Sequence, residues 1–235
     1  MNHLRREFNR RAKEVRSYIR MLRHVEEQQT SPIAPAPPTK LTLDSSLVQT
    51  MKASVYLLLY NLVESTINQC LQAVGDAIRD EGATYRKLNA KWRKAWVKHL
   101  GQTSASIGPE KRLDAALSLC DHLVNDLVIE FTPTANTGNL DDRRIEDVAS
   151  SYGIQLSIRK TVRTAVKREV FNDEGALGLV RRKRNSLAHG LESFAECGRG
   201  SSTPDLRRFA IITILYLEDV IDSFDSFIRA RLFAT

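Results

Sequence analysis

The sequence predicts an all-α fold, a bundle of long helices with short helices inserted between them. Three observations carry that expectation. Apolar residues recur at three- and four-residue steps through several long segments. No segment sustains the period-two alternation of a half-buried strand. No unit of fixed length repeats, which removes the solenoid architectures.

The first helix is read from Leu4, Phe8, Ala12, Val15, Ile19 and Leu22. Arg5, Arg6, Arg10, Arg11, Lys13 and Arg16 lie between them, so residues 1–30 form an amphipathic helix with a basic outer face. In residues 31–43, Pro32, Pro35, Pro37 and Pro38 lack amide donors and fix φ, which makes a semi-rigid extended linker. The first helix then packs either on the body of the chain, residues 44–235, or on a second copy.

Asp44 or Ser45 caps a long helix that runs to about Asp80. Val55, Leu58, Leu59, Leu62, Val63, Ile67, Cys70, Leu71, Val74 and Ile78 give it a stripe wide enough for a central core helix. Tyr60, Asn61 and Glu64 interrupt the stripe, with Tyr60 and Glu64 on one face at i, i+4. A buried carboxylate is costly unless paired, so Glu64 needs solvent or a cation.

Tyr85 to Leu100 reads as a further helix, with Trp92 and Trp96 on one face among Lys91, Arg93, Lys94, Lys98 and His99. Such a face either grips nucleic acid by stacking and charge or buries its tryptophans in the core. Gly108-Pro109 restarts a helix through Leu127, in which His122 is structural. Phe131 to Asn139 is a loop, and Asp141 or Asp142 opens a short helix that Gly153 closes. Leu156 to Val170 is expected to be helical, presenting Arg159, Arg163 and Lys167 as an i, i+4, i+8 stripe. From Arg159 through Arg184 nine Lys/Arg face three Asp/Glu, the clustered excess that marks a polyanion-binding patch.

That patch runs into Arg181-Arg182-Lys183-Arg184-Asn185-Ser186-Leu187-Ala188-His189-Gly190. A guanidinium is a permanent forked cation suited to a phosphate, and an imidazole moves protons near neutral pH. Together they suffice to cleave a phosphodiester without a metal. The same ten residues also suit a basic helix end with Gly190 as its cap. Cys197 to Ser202 reads as a Gly/Ser loop. Thr203-Pro204-Asp205 then starts the last helix, carried by Phe209, Ile212, Leu215, Tyr216, Val220, Ile221, Phe224 and Phe227.

The balance of 35 basic against 28 acidic residues gives a net charge of +7, compatible with an anionic partner. Three widely spaced cysteines fit a reducing compartment better than a disulfide framework. Met1 opens a polar segment rather than an apolar signal, and the longest apolar run is far short of a membrane span. A soluble, cytoplasmic protein is expected. The phosphate-binding Gly-x-x-x-x-Gly-Lys-Ser/Thr loop is absent, as are His-Glu-x-x-His, Cys-x-x-Cys and Gly-x-Ser-x-Gly. Gly198-Arg199-Gly200-Ser201 is a weak candidate phosphate loop. Chemistry without metal or cofactor is the expectation.

Arg184, Asn185 and His189, followed by Gly190, resemble the signature of the HEPN superfamily: arginine, often a polar residue next, then histidine after a short spacer. Leu57 to Thr66 and Gly138-Asn139-Leu140-Asp141 leading to Tyr152-Gly153 resemble segments of its MAE-type branch. These matches span about residues 50–225. The resemblance implies a HEPN-like helical bundle and a metal-independent endoribonuclease, often a toxin or antiviral-defence effector. It also implies a homodimer with its cleft on the two-fold axis, and a possible antitoxin or defence-system partner. Arg184, His189 and Asn185 are then catalytic candidates. Glu64 would face their helix, pairing with Arg184 or holding His189. RNA would lie along Arg159, Arg163, Lys167, Arg181, Arg182 and Lys183. The alternatives are a module that binds RNA or nucleotide without cutting it, and a helical protein-interaction partner.

Overall fold

In the computed structural model, which describes residues 1–30, 44–105, 108–135, 138–170 and 174–235, the fold is built around one long helix. The Asp44 side chain accepts from the Ser46 amide at 3.3 Å and starts α2 (Ser45–Asp80), the longest element. Its stripe from Val55 to Ile78 is buried except for the partly buried Leu58, and it touches α1 (Asn2–Thr30), α7 (Ala176–Ala188), α8 (Phe194–Arg199) and α9 (Thr203–Arg229). The remaining helices are α3 (Ala90–Ala105), α4 (Pro109–Val124), α5 (Asp142–Ser151) and α6 (Lys160–Lys167). Among the described residues the fold is all-α, with two isolated bridges, Thr84 to Val128 and Leu88 to Ala234, in place of strands.

Of the two placements open to the first helix, the structure puts it on the body. Leu4, Phe8, Ala12, Val15, Ile19 and Leu22 are all buried, and α1 lies along α2 and α9. Arg5 reaches Asp222 of α9 at 2.5 Å, and Lys52 of α2 reaches Glu26 at 2.7 Å. The proline-rich segment expected at 31–43 lies outside the described residues.

Trp92 and Trp96 are core residues. Both are essentially inaccessible, Trp92 against Tyr152, Phe131 and Phe227, and Trp96 between Tyr85 and His122. Their helix starts later than the periodicity suggests. A single 3-10 turn spans Tyr85–Lys87, Leu88 is extended, and the Asn89 side chain accepts from the amides of Lys91 and Trp92 to open α3.

Three other boundaries differ for local reasons. The segment expected to be helical from Leu156 begins only at Lys160, because α9 holds the preceding residues extended. The Ser157 amide donates to Ser223 Oγ and the Arg159 amide to Asp219, each at 2.9 Å. The first half of the Gly/Ser stretch expected as a loop, Cys197 to Arg199, is the end of helix α8, which is opened by a reciprocal Ser193–Glu196 capping box. Gly198 lies against the backbone of Gln49 so closely that a β-carbon would fall 1.8 Å from its carbonyl oxygen. This glycine is a packing contact between α8 and α2, not part of a phosphate loop. Finally, Ser202 rather than Thr203 caps α9, its hydroxyl accepting from the Asp205 amide.

Candidate active site

Three elements converge on the side of α2 that carries Tyr60 and Glu64: α2 itself, the loop at Gly138–Leu140, and α7. The short hydrophobic run Leu177–Val180 buries the start of α7, which leaves the following basic residues half-buried at the edge of the core. Asp141 caps α5 by accepting from Arg144 at 2.8 Å, and this fixes the end of the 138–140 loop.

The four consecutive cations of α7 have different fates. Arg181 binds Asp141 at 2.6 Å and approaches Glu174 at 3.5 Å. Arg182 binds Glu174 at 2.6 Å, and Lys183 holds both oxygens of Glu192 at 2.8 and 3.0 Å. Arg184 alone has no carboxylate among the described residues. Its guanidinium lies over the Tyr60 ring, 4.4 Å from the centroid, and donates from Nη1 to Asn185 Oδ1 at 3.0 Å. Asn185 in turn donates to Asn139 Oδ1 at 2.7 Å.

Tyr60 anchors this arrangement from below. It is fully buried, its hydroxyl donating to the Gly138 carbonyl and accepting from the Leu140 amide. Burial pushes the phenol above its ordinary pKa; the Leu140 amide and Arg184 oppose the shift and Glu64 adds to it. Tyr60 and Asn139 are not among the expected site residues. The sequence marks Tyr60 as a polar interruption of the α2 stripe beside Glu64, and Asn139 by its place in a segment similar to the MAE-type branch.

His189 is the cap residue of α7. Its amide still donates to the Asn185 carbonyl at 3.0 Å, so helical geometry extends to it. The chain turns away at Gly190, which adopts φ +66°, and the Leu191 amide closes back on the Ser186 carbonyl at 2.9 Å. The imidazole is exposed and has no hydrogen-bond or ion-pair partner among the described residues.

Glu64 reaches neither expected partner. Half-buried one turn beyond Tyr60, it lines a shallow depression of about 320 Å³ with Asn68, Gln72, Thr134 and Gly138. A β-carbon at Gly138 would sit 4.0 Å from its carboxylate. The Arg184 guanidinium is turned onto the Tyr60 ring instead, so Glu64 borders the site without pairing in it.

The residues expected to lie along RNA divide in the same way. Arg159 is bound to Asp219 at 2.6 Å and caps α6. Arg163 and Lys167 are exposed and have no hydrogen-bond or ion-pair partner among the described residues. Arg181, Arg182 and Lys183 are ion-paired, so of the four consecutive cations on α7 only Arg184 is without a carboxylate among the described residues. Among the described residues no group of three His, Cys, Asp or Glu side chains is arranged to hold a metal, and no helix is long and apolar enough to cross a membrane.

A family model described as HEPN_MAE_28990:/-like HEPN matches residues 1–233. No curated protein and no solved structure gives a significant match. The family match takes in α1, well beyond the part of the chain whose motifs carry the likeness. Because it covers nearly the whole sequence, the chain belongs to the HEPN superfamily, in its MAE-type branch.

Proposed function

We propose that this chain is a metal-independent endoribonuclease whose reaction is run by Arg184 and His189. The observation that carries the reading is the sorting of the four adjacent cations of α7. Three are neutralised by carboxylates, while the fourth meets no carboxylate among the described residues and is fixed in direction, on the same helix as an exposed imidazole. A fixed, unpaired guanidinium suits charge that develops during a reaction, since it needs no reorganisation when the charge appears. Membership of the superfamily supports RNA as the substrate, because HEPN domains are often ribonucleases.

In the proposed step the ribose 2′-oxygen attacks the adjacent phosphorus and forms the O2′–P bond while the P–O5′ bond breaks. His189 takes the 2′-hydroxyl proton, and the departing 5′-oxygen receives a proton from a second imidazole. Each such transfer contributes roughly 10²–10⁴-fold. Arg184 carries the charge that accumulates on the non-bridging oxygens, and Asn185 holds Arg184 in place.

The helix supports a site shared by two chains. Five residues along regular α-helix leave Arg184 and His189 about 140° apart around the axis, and the helical hydrogen bond to the His189 amide preserves that offset. A two-fold dimer would bring a second Arg184 and a second His189 to the same phosphate. Mixing Arg184→Ala with His189→Ala chains tests this: a shared site restores activity in the mixed dimer above either parent. A fully active monomer in light scattering would contradict it.

The primary test is RNA cleavage in EDTA. The wild-type chain should cut, and Arg184→Ala and His189→Ala should still bind but not turn over. Activity lost in EDTA and restored by magnesium would overturn the reading. A toxin or defence role is part of the same proposal: induced expression should arrest growth, and the His189→Ala chain should not.

A second reading, an RNA-binding module without catalysis, is favoured by one observation: among the described residues, none is hydrogen-bonded or ion-paired to the His189 imidazole. It requires that the wild-type chain bind RNA without cutting it and that His189→Ala keep full affinity.

A further inference from the structure

We infer that Tyr60 is a positioning residue that aims Arg184 by closing a circuit of contacts through the 138–140 loop, an inference that rests on the ribonuclease reading of the site. The circuit has no open link. The Tyr60 ring carries the Arg184 guanidinium at 4.4 Å, and Arg184 donates to Asn185 at 3.0 Å. Asn185 donates to Asn139 at 2.7 Å. Asn139 sits between Gly138 and Leu140, and these two residues hold the Tyr60 hydroxyl from either side.

Each part has a separable task. The aromatic face attracts the cation and sets the plane it lies in. The hydroxyl does nothing for the cation directly. It ties down the loop that carries Asn139, and Asn139 sets the Asn185 amide to which Arg184 donates. A residue serving only to fill the core would need the ring alone, and phenylalanine would serve as well. A buried hydroxyl with its proton donated and a lone pair occupied is also a poor proton carrier. Tyr60 therefore acts on the reaction through Arg184, not on the substrate.

The sequence hides this because the three parts lie on α2, on a loop and on α7. It also explains why Arg184 differs from its three neighbours. A carboxylate there would neutralise the guanidinium, whereas a ring face and an amide orient it while leaving its charge free for a phosphate.

Two variants test the circuit. Tyr60→Phe keeps the ring and removes both hydroxyl hydrogen bonds. Asn139→Ala cuts the same circuit at an exposed loop position, where the change leaves the core untouched. Both should lower kcat roughly tenfold with KM little changed, the pattern of a weakened transition-state contact. The double variant should lose no more than either single one, because the circuit is already open. The pH–rate profile should keep its shape. In side-chain NMR of the free protein, the Asn185 amide signal should shift and broaden in both variants.

Wild-type kcat in both variants with an unmoved Asn185 signal would overturn the inference. So would a pH profile that loses a limb in Tyr60→Phe, which would make Tyr60 a proton carrier. If the wild-type chain does not cleave RNA, the ribonuclease reading fails by itself, and the NMR measurement still decides whether the circuit exists.

Discussion

The Arg159 guanidinium and the Arg159 backbone amide both donate to the carboxylate of Asp219, at 2.6 and 2.9 Å, joining the start of α6 to the middle of α9. Asp219 is almost fully buried while Arg159 is half exposed. Removing the side chain leaves the carboxylate with its backbone donor but without its charge partner. Arg159→Ala should therefore cost about 1–2 kcal/mol, lowering Tm by roughly 2–8 °C in a chain of this size. Its RNA affinity should match the wild type in a filter-binding assay. A variant that binds RNA much more weakly at unchanged Tm would return Arg159 to the interface.

The cations on α6 and α7 make a contrasting pair of predictions. Among the described residues Arg163 is exposed and has no ion-pair partner, whereas Arg182 is held by Glu174 at 2.6 Å. If RNA follows α6, Arg163→Ala should reduce the salt dependence of binding by about 0.7 in the slope of log K against log salt. Arg182→Ala should leave that slope nearly unchanged. Equal slopes for the two variants would show that ion pairing does not sort these cations.

The packing of α1 predicts that the body does not hold together without it. Phe8 and Leu22 are buried against the rest of the core. Phe8→Ala should cost about 3–5 kcal/mol and Leu22→Ala about 2–5 kcal/mol in urea unfolding. A fold that unfolds in two separate transitions, with these substitutions moving only the first, would make α1 an independent unit.

Stability should fall at alkaline pH. Burial raises the Cys197 thiol from 9.0 to about 11, and raises the Cys70 thiol and the Tyr216 phenol well above their ordinary values. A pKa raised in the folded state means that the native chain holds protons which the unfolded chain releases. The stabilisation is complete below the unfolded value near 9 and is lost as pH rises through about 11. Tm should decline across that window, and Cys197→Ala should shrink the decline. At pH 8 a thiol reagent should titrate the exposed Cys120 rapidly and the two buried thiols only after denaturation.

Much of the fold is legible in the sequence because α2 and α9 bury wide, regular stripes and carry strong caps at Asp44 and near Pro204. The start of α6 is not, because Ser223 and Asp219 of a distant helix hold Ser157 and Arg159 extended against their local preference. The Cys197–Ser202 stretch looks like a loop by composition. Gly198 is there for a backbone contact with Gln49, which only the assembled structure reveals. In the site, the pairing of Arg184, Asn185 and His189 along one helix is local and readable. The neutralisation of Arg181 depends on Asp141, and the orientation of Arg184 depends on Tyr60. Both are contacts between remote segments, so a run of four equivalent cations in sequence becomes three paired with carboxylates and one that meets no carboxylate among the described residues.

The ends left on cleaved RNA test the central claim most directly. Attack by the 2′-oxygen, with His189 moving protons and Arg184 holding charge, leaves a 2′,3′-cyclic phosphate on one fragment and a 5′-hydroxyl on the other. A substrate with deoxyribose at the cut position should survive uncut in EDTA under conditions that cleave its ribose counterpart. Fragments carrying 3′-hydroxyl and 5′-phosphate ends, or cleavage of the deoxy substrate at the same rate, would contradict the account.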